Sequence, residues 1–194
     1  MKYKLHELVD MRSGYQGKVT EDEAAHLVKL MKLKDVSKEG IINYEDIESV
    51  RIEKILPKHL LKQGDIIFKA KSGDNTAACI DRVEDNLLAT SHYILMSVKE
   101  AFKDKVHPQY LAMYLNSAYA QSYIKARSEG TVLAIVKISG LEALEVTLPS
   151  MEEQIQLSEL YELMLQERVV MQKLMLEREK QIAGKLRDII GEER

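Results

Sequence analysis

The sequence has few of the residues that mark secreted or membrane proteins. Its 194 residues include no tryptophan, three prolines and a single cysteine, Cys79. One cysteine cannot form a disulfide within the chain, so we expect a reducing, cytoplasmic setting and interpret Cys79 as a buried structural thiol rather than a nucleophile. No apolar run approaches the roughly 20 residues of a membrane span. The segment MKYKLHELVDMRSGY lacks the apolar centre of a signal peptide.

Common catalytic motifs are missing as well. Neither G-x-G-x-x-G nor G-x-x-x-x-G-K-[ST] occurs, which argues against dinucleotide and P-loop sites. There is no C-x-x-C, H-E-x-x-H or G-x-S-x-G, and the five histidines are scattered without metal-ligand spacing. The proline-proline-aromatic signature of amino-methyltransferases is also absent. Because triad members need not be neighbours in the chain, an unrecognised enzyme stays open as the weakest alternative. We predict a binding module that is not an enzyme and needs no cofactor or metal.

Charge is distributed unevenly along the chain. Residues 151–194 carry seven basic and ten acidic side chains, which accounts for the whole net charge of -3 and leaves residues 1–150 balanced. Overall charge therefore gives no support for nucleic-acid binding. Locally, residues 51–71 have four more basic than acidic residues, and residues 26–38 add four lysines against one aspartate. These segments indicate either a basic face or ordinary solvated lysines.

Short apolar segments between turn residues predict a mixed α/β, or α+β, domain over residues 1–150. A helix opens at Pro108, breaks at Asn116-Ser117 and is followed by a second helix over 118–127. We expect the tyrosines of these helices, Tyr110, Tyr114, Tyr119 and Tyr123, to lie in the core. Strands are predicted at 3–11, 26–36, 66–70, 77–81 and 93–98, with a helix as the alternative at 26–36.

Residues 151–194 form the second predicted region, a single helix of about 40 residues and roughly 60 Å. Glu152 and Glu153 suit the positive end of the helix dipole in its first turn. Apolar residues recur every 11 positions, a period typical of a nearly straight helix or slight right-handed supercoil. A stripe on so long a helix needs a partner helix, although a helix folded back on its own domain is the alternative. The predicted dimerisation residues are Leu160, Met164, Met171, Met175, Ile182 and Leu186.

An ordered series of short motifs runs through the chain. After "VDMRSGYQ" come "GDIIF" (64–68), "PQYL" (108–111), "YLNS" (114–117), Gly130-Thr131, Ile138-Ser139 and Leu148-Pro149 with "EEQI" (152–155). In this order the motifs resemble the DNA specificity subunit of type I restriction-modification systems, over almost the whole chain. The resemblance implies a non-catalytic target-recognition domain that reads double-stranded DNA in the major groove, and a spacer helix.

The resemblance also implies partners. Methyltransferase subunits would dock around the spacer and methylate adenine, and a nuclease or translocase subunit is a further partner that the family allows. Family members usually carry two recognition domains and two spacers, whereas this sequence has one of each and no internal repeat. We therefore expect a half-subunit that forms a homodimer through its helix and recognises a gapped palindrome.

Three loops are the predicted DNA contacts, because amide, hydroxyl and basic side chains specify bases and hold phosphates. The alternative for each is an ordinary turn or helix end. A rival to DNA reading is an interaction or regulatory half-subunit that binds the methyltransferase alone, which the balanced charge favours. The predicted residues are Ser13, Tyr15, Gln16 and Lys18 in loop 1; Lys69, Lys71, Ser72, Asn75 and Thr76 in loop 2; Arg127, Ser128, Gly130 and Thr131 in loop 3.

Overall fold

The structure is a computed structural model that describes residues 1–82, 84–128 and 135–190. The predictions for Gly130 and Thr131 therefore lie outside the described residues. The chain divides into two units, Met1–Ser158 and Glu159–Arg194. No helix in the described part of the chain is long and apolar enough to cross a membrane.

Ten strands and five helices make up the described chain. The strands are β1 (Lys2–Lys4), β2 (Val9–Ser13), β3 (Val19–Thr20), β4 (His26–Met31), β5 (Ser49–Ile52), β6 (Ile66–Lys69), β7 (Ala77–Cys79), β8 (Leu87–Ala89), β9 (Tyr93–Val98) and β10 (Glu145–Thr147). The helices are α1 (Leu5–Leu8), α2 (Pro108–Leu115), α3 (Ala118–Lys125), α4 (Ile138–Glu142) and α5 (Met151–Ile190). Short 3-10 turns cover Leu33–Asp35, Tyr44–Asp46, Pro57–His59 and Glu100–Phe102.

Three sheets organise the first unit. The central sheet has the order β2-β9-β6-β7 and is antiparallel throughout. A second sheet, β3-β5-β4-β8, is antiparallel except for its parallel β4–β8 pair, and β1 pairs with β10. Helices pack beside these sheets, so the predicted mixed domain with a long C-terminal helix is confirmed.

The central strand β6 is buried on both faces. Ile66 and Phe68 pack into the largest core cluster with helices α1 to α4, whereas Ile67 packs into a second cluster with residues of β4 and β8. Successive strand residues point to opposite faces, so a strand covered on both sides needs an uninterrupted apolar run. The sequence "IIF" meets that requirement.

Most predicted elements are present. The strand at 93–98 is confirmed residue for residue, and α2 and α3 separate at Asn116-Ser117, where the Ser117 hydroxyl accepts the Ala120 N–H at 3.3 Å. The prediction of a strand across 3–11 is wrong in its centre. Leu5 and Leu8, three residues apart, are both fully buried on one turn of α1, because that spacing places them on one helical face.

Two side-chain predictions have different outcomes. Burial raises the pKa of the Cys79 thiol to about 12, so it is protonated at neutral pH and fits the structural interpretation. Tyr110 lies in the core as predicted. Tyr119 does not, since it is 54% exposed; its ring packs edge-on against Tyr114.

The start of α5 is tied to the first unit by side chains of that unit. Ser150 and Glu153 form a capping box, in which the Glu153 carboxylate accepts the Ser150 N–H at 2.9 Å. Gln154, fully buried, accepts the His107 N–H at 2.9 Å and donates to the Lys105 carbonyl at 2.8 Å. These bonds satisfy polar groups that a helix start would otherwise leave unpaired. Gly184 does not end the helix, which continues to Ile190.

Candidate nucleic-acid interface

Predicted loops 1 and 2 leave the central sheet at the same end. Strand β2 ends at Ser13 opposite Ile94, and β6 ends at Lys69 opposite Tyr93. Because β9 runs antiparallel to both neighbours, its beginning lies beside their ends. Residues that are more than 50 positions apart in the sequence are therefore brought to one edge.

A turn between β8 and β9, Thr90–His92, lies between these two loops. On one side, the Tyr15 N–H donates to the Ala89 carbonyl at 2.8 Å. On the other, the N–H groups of Ala70 and Lys71 donate to the His92 carbonyl at 2.8 and 3.2 Å. This turn was not predicted from the sequence. Its signal is the polar group "TSH" set between two apolar strands.

Loop 1 presents polar side chains on a fixed backbone. A Cβ at Gly14 would lie 2.2 Å from the Thr90 carbonyl oxygen, so only glycine allows this close approach. The rings of Tyr15 and His59 pack edge-on with centroids 6.0 Å apart. Burial, and to a lesser extent the negative charge of Glu53, raises the pKa of the Tyr15 hydroxyl. Gln16 and Lys18 are exposed, and the Gln16 amide donates to the Ser13 hydroxyl at 3.3 Å.

Three of the residues predicted in loop 2 face inward. Lys69 is only 4% exposed, and its ammonium donates to Asp74 at 2.9 Å and to the Ser37 carbonyl at 3.4 Å. The Asn75 amide donates to the Lys69 carbonyl at 2.9 Å, and the Thr76 hydroxyl to the Lys38 carbonyl at 3.0 Å. These bonds correct the expectation that all of loop 2 faces DNA.

The charge of Lys69 is neutralised inside the domain, so we assign a structural function to Lys69, Asn75 and Thr76. Their bonds hold the shape of the loop, and Asn75 adopts a left-handed backbone with φ of 43°. Lys71 and Ser72 are partly exposed and remain as candidate contacts.

Helix α3, which precedes loop 3 in the chain, contacts loop 2. The Gln121 amide donates to the Asn75 carbonyl at 3.2 Å and to the Leu115 carbonyl at 2.8 Å. Farther along the chain, the Val136 N–H donates to the Ala70 carbonyl at 2.8 Å. Arg127 is exposed, and its guanidinium lies 3.6 Å from the centroid of the Tyr123 ring, a cation–π contact that fixes the side chain.

The two basic segments found in the sequence differ once folded. Over 26–38, Lys29 pairs with Glu84 at 2.6 Å, and Lys32 and Lys34 both pair with Glu48, whose pKa they lower to about 2. This segment therefore presents little free positive charge. Over 51–71, Lys54, Lys58, Lys62 and Lys71 make no ion pair to any described residue. Lys71, like Lys18 of loop 1, belongs to a predicted DNA-contacting loop, whereas Lys62 lies near Asp65 at the opposite end of β6.

The chemistry of this edge is that of binding. The exposed and partly exposed side chains of loops 1 and 2 supply an amide, hydroxyls and ammonium groups, which are groups able to hydrogen-bond to base edges and phosphates. Within residues 1–82, 84–128 and 135–190, no three His, Cys, Asp or Glu side chains come together in a way that could hold a metal ion.

The chain has the fold of type I restriction-modification S subunits. It superposes on an S subunit from M. genitalium with a TM-score of 0.54 at 15% identity, and on the HsdS subunit from Thermoanaerobacter tengcongensis with 0.60 at 14%. A chain from a structure concerning complex assembly and conformational transition of the type I R-M system gives 0.69 at 14% identity. No protein-family profile and no curated protein sequence matches the chain significantly.

Coverage is unequal in these superpositions. They include 82%, 92% and 98% of this chain but 37%, 47% and 48% of the M. genitalium, T. tengcongensis and type I R-M chains, respectively. The chain therefore spans less than half the length of each of these three chains. The likeness covers the long helix as well as the first unit, and at this identity it defines the fold.

Proposed function

We propose that this protein is a sequence-specific DNA-recognition subunit of a type I-like restriction-modification system. It has no catalytic activity of its own and directs a methyltransferase, with or without a nuclease, to a bipartite DNA site. The observation that supports the proposal is that predicted loops 1 and 2 lie on either side of Thr90–His92, with helix α3 against loop 2. Exposed Gln16, Lys18 and Arg127 and partly exposed Lys71 supply the amide and cationic groups that such reading requires.

Pairing of two chains through α5 is the second part of the proposal. The six predicted dimerisation residues form two rows with 11-residue spacing, and all six are exposed, from 40% at Met164 to 65% at Leu160. The rows are Leu160, Met171 and Ile182, and Met164, Met175 and Leu186. Apolar surface of this extent on one helix is typical of an interaction site. A second copy of the chain offers the same stripe, and a two-fold interface needs only one kind of surface.

The charges of α5 favour an antiparallel pair. Residues 151–167 carry five acidic and no basic side chains, whereas residues 168–190 carry six basic and three acidic ones. Antiparallel helices place each acidic half against the basic half of the other chain. Parallel helices would place like charges together, which is unfavourable. Two recognition domains related by a two-fold axis would read inverted half-sites, with the helices setting the gap.

Weak binding by an isolated recognition domain follows from its balanced charge. Few free lysines neutralise phosphates, so affinity should be low and its dependence on salt should be shallow, because the salt slope grows with the number of phosphates neutralised. Linking two domains raises the effective concentration of the second half-site and so the overall affinity. Tight binding therefore depends on the pair of chains and on the methyltransferase.

The test is binding of the chain with its methyltransferase partner to a randomised duplex library, followed by Lys71→Glu on the selected duplex. We expect one enriched gapped sequence and a clear loss of affinity in the variant. Lys62→Glu is the matched control, because Lys62 is an exposed lysine near Asp65, at the opposite end of β6. Equal binding of every library member would refute sequence reading.

A second candidate is an interaction or regulatory half-subunit that dimerises and binds the methyltransferase without reading DNA. The neutralised lysines of residues 26–38 favour it, because they remove a basic face that DNA binding would use. The same library experiment separates the two. This candidate predicts that the complex forms, with no enriched sequence.

A further inference from the structure

We propose that the cleft between loop 2 and α3 is a phosphate-binding site for the DNA strand, with Lys125 as its cation. This inference rests on the proposed function and adds a binding site on a helix to the three loops. The cleft has a volume of about 620 Å³, within the roughly 300–1,000 Å³ range of ligand clefts. Its lining includes Gly73, Gln121, Ser122, Lys125 and Ser128.

The polar groups of the α3 side match a phosphodiester. Lys125 and Ser122 are exposed, and neither makes an ion pair or hydrogen bond through its side chain to a described residue. The two lie three positions apart, so they share one face of α3. The Ser128 hydroxyl donates to the Lys125 carbonyl at 2.9 Å, and this hydrogen bond orients the Ser128 side chain at one end of the cleft.

The one carboxylate in the lining does not oppose an anion strongly. Asp74 is neutralised by the buried ammonium of Lys69 at 2.9 Å and accepts the Ser72 hydroxyl at 2.6 Å. These hydrogen bonds outweigh burial and lower the pKa of Asp74, so the ion pair is maintained. The net free charge of the described lining is therefore the single positive charge of Lys125.

The opposite wall leaves room for a DNA backbone. Gly73 has no heavy atom within 4 Å of the position where a Cβ would stand, and its backbone is not in the left-handed region. A side chain added there would extend into open space without straining the fold. Gly73 of the cleft wall lies two residues after Lys71, so the proposed phosphate contact lies beside a candidate base-reading loop. We infer that this site positions the strand and does not read bases.

The experiment measures binding of Lys125→Gln and Gly73→Leu to the selected duplex and to a scrambled duplex of the same length, across a salt series. Lys125→Gln should weaken both duplexes several-fold and by the same factor, and should reduce the salt slope by about one. Gly73→Leu should weaken both by filling the cleft. Lys62→Gln is the control and should change neither.

The remaining outcomes overturn the inference in distinguishable ways. Unchanged binding in both cleft variants, with the loss in Lys71→Glu retained, would refute the phosphate site and leave the proposed function standing. A change in the preferred sequence in Lys125→Gln would show base reading instead of phosphate binding. Equal affinity of the wild-type complex for selected and scrambled duplexes would refute both proposals. Thermal unfolding of each variant confirms that it is folded.

Discussion

The two units of the chain use the same apolar residues for opposite purposes. In Met1–Ser158, leucine, isoleucine and methionine form clusters in which Met96, Leu95 and Ile67 are completely buried. Over residues 159–190, Met171, Met175 and Ile182 are about 60% exposed. The first pattern stabilises a fold by removing apolar surface from water. The second leaves apolar side chains exposed to water.

Replacing one methionine by alanine in each unit should give the largest difference in stability. Met96→Ala should lower the free energy of unfolding by about 2–5 kcal/mol, because it opens a cavity in the core. Met171→Ala should change it by less than about 0.5 kcal/mol in the monomer, since the side chain is exposed. Chemical denaturation at a concentration too low for dimers measures both. Sedimentation at high concentration should then show weaker self-association for Met171→Ala alone.

Lys69 and Lys71, two positions apart in loop 2, should differ in the same way. Lys69→Glu should destabilise the first unit by about 3 kcal/mol, because it leaves two carboxylates together in a buried position. Lys71→Glu should change stability by less than about 0.5 kcal/mol and should act on DNA binding. Denaturation curves and duplex titrations of the two variants separate these effects. Equal stability of both variants would contradict the buried ion pair.

The pH dependence of stability provides a smaller effect. The pKa of Asp74 is held below its ordinary value of 3.8, so its contribution is present above that value and is lost as pH falls through the folded-state pKa. The stability gap between wild type and Asp74→Asn should therefore narrow as pH falls from about 5 to about 2.5. An unchanged stability difference between wild type and Asp74→Asn over this pH range would contradict the Lys69–Asp74 ion pair. Asp188→Asn, an exposed substitution on α5, is the matched control.

Charge reversal on α5 should give the smallest effect, because exposed ion pairs each contribute about 1 kcal/mol or less. A chain with Glu159→Lys and Glu162→Lys should self-associate less than wild type. It should pair preferentially with a chain carrying Lys173→Glu and Lys185→Glu. The preference should fade as salt rises. Mixing experiments with differently labelled chains measure it, and preferential pairing of each variant with itself would contradict the antiparallel arrangement.

Much of the fold could be predicted from local patterns. The apolar run of β6, the break at Asn116-Ser117 and the 11-residue period of α5 all act over short distances, and the structure has them as expected. The strand prediction for residues 3–11 was wrong in its centre because a strand and a single helical turn have similar apolar patterns over so few residues. Only contacts with distant partners, such as the Leu5 N–H bond to the Leu144 carbonyl, decide between them.

The candidate site was predictable in its loops and less so in its side chains. Turn residues identified loops 1 and 2, but long-range register brings them to one end of the sheet. Lys69 and Lys71 look alike in sequence, and only the positions of Ser37 and Asp74 make the first structural. Lys29, Lys32 and Lys34 are likewise paired with Glu84 and Glu48, which lie between 14 and 55 residues away in the chain.

Methylation mapping of the host genome with and without this gene tests DNA recognition and self-pairing together. We expect loss of adenine methylation at one gapped palindrome, because two identical chains would read inverted half-sites. Loss at a gapped asymmetric site would keep DNA recognition and contradict self-pairing. Unchanged methylation at every motif would contradict the central claim that this chain directs a methyltransferase to DNA.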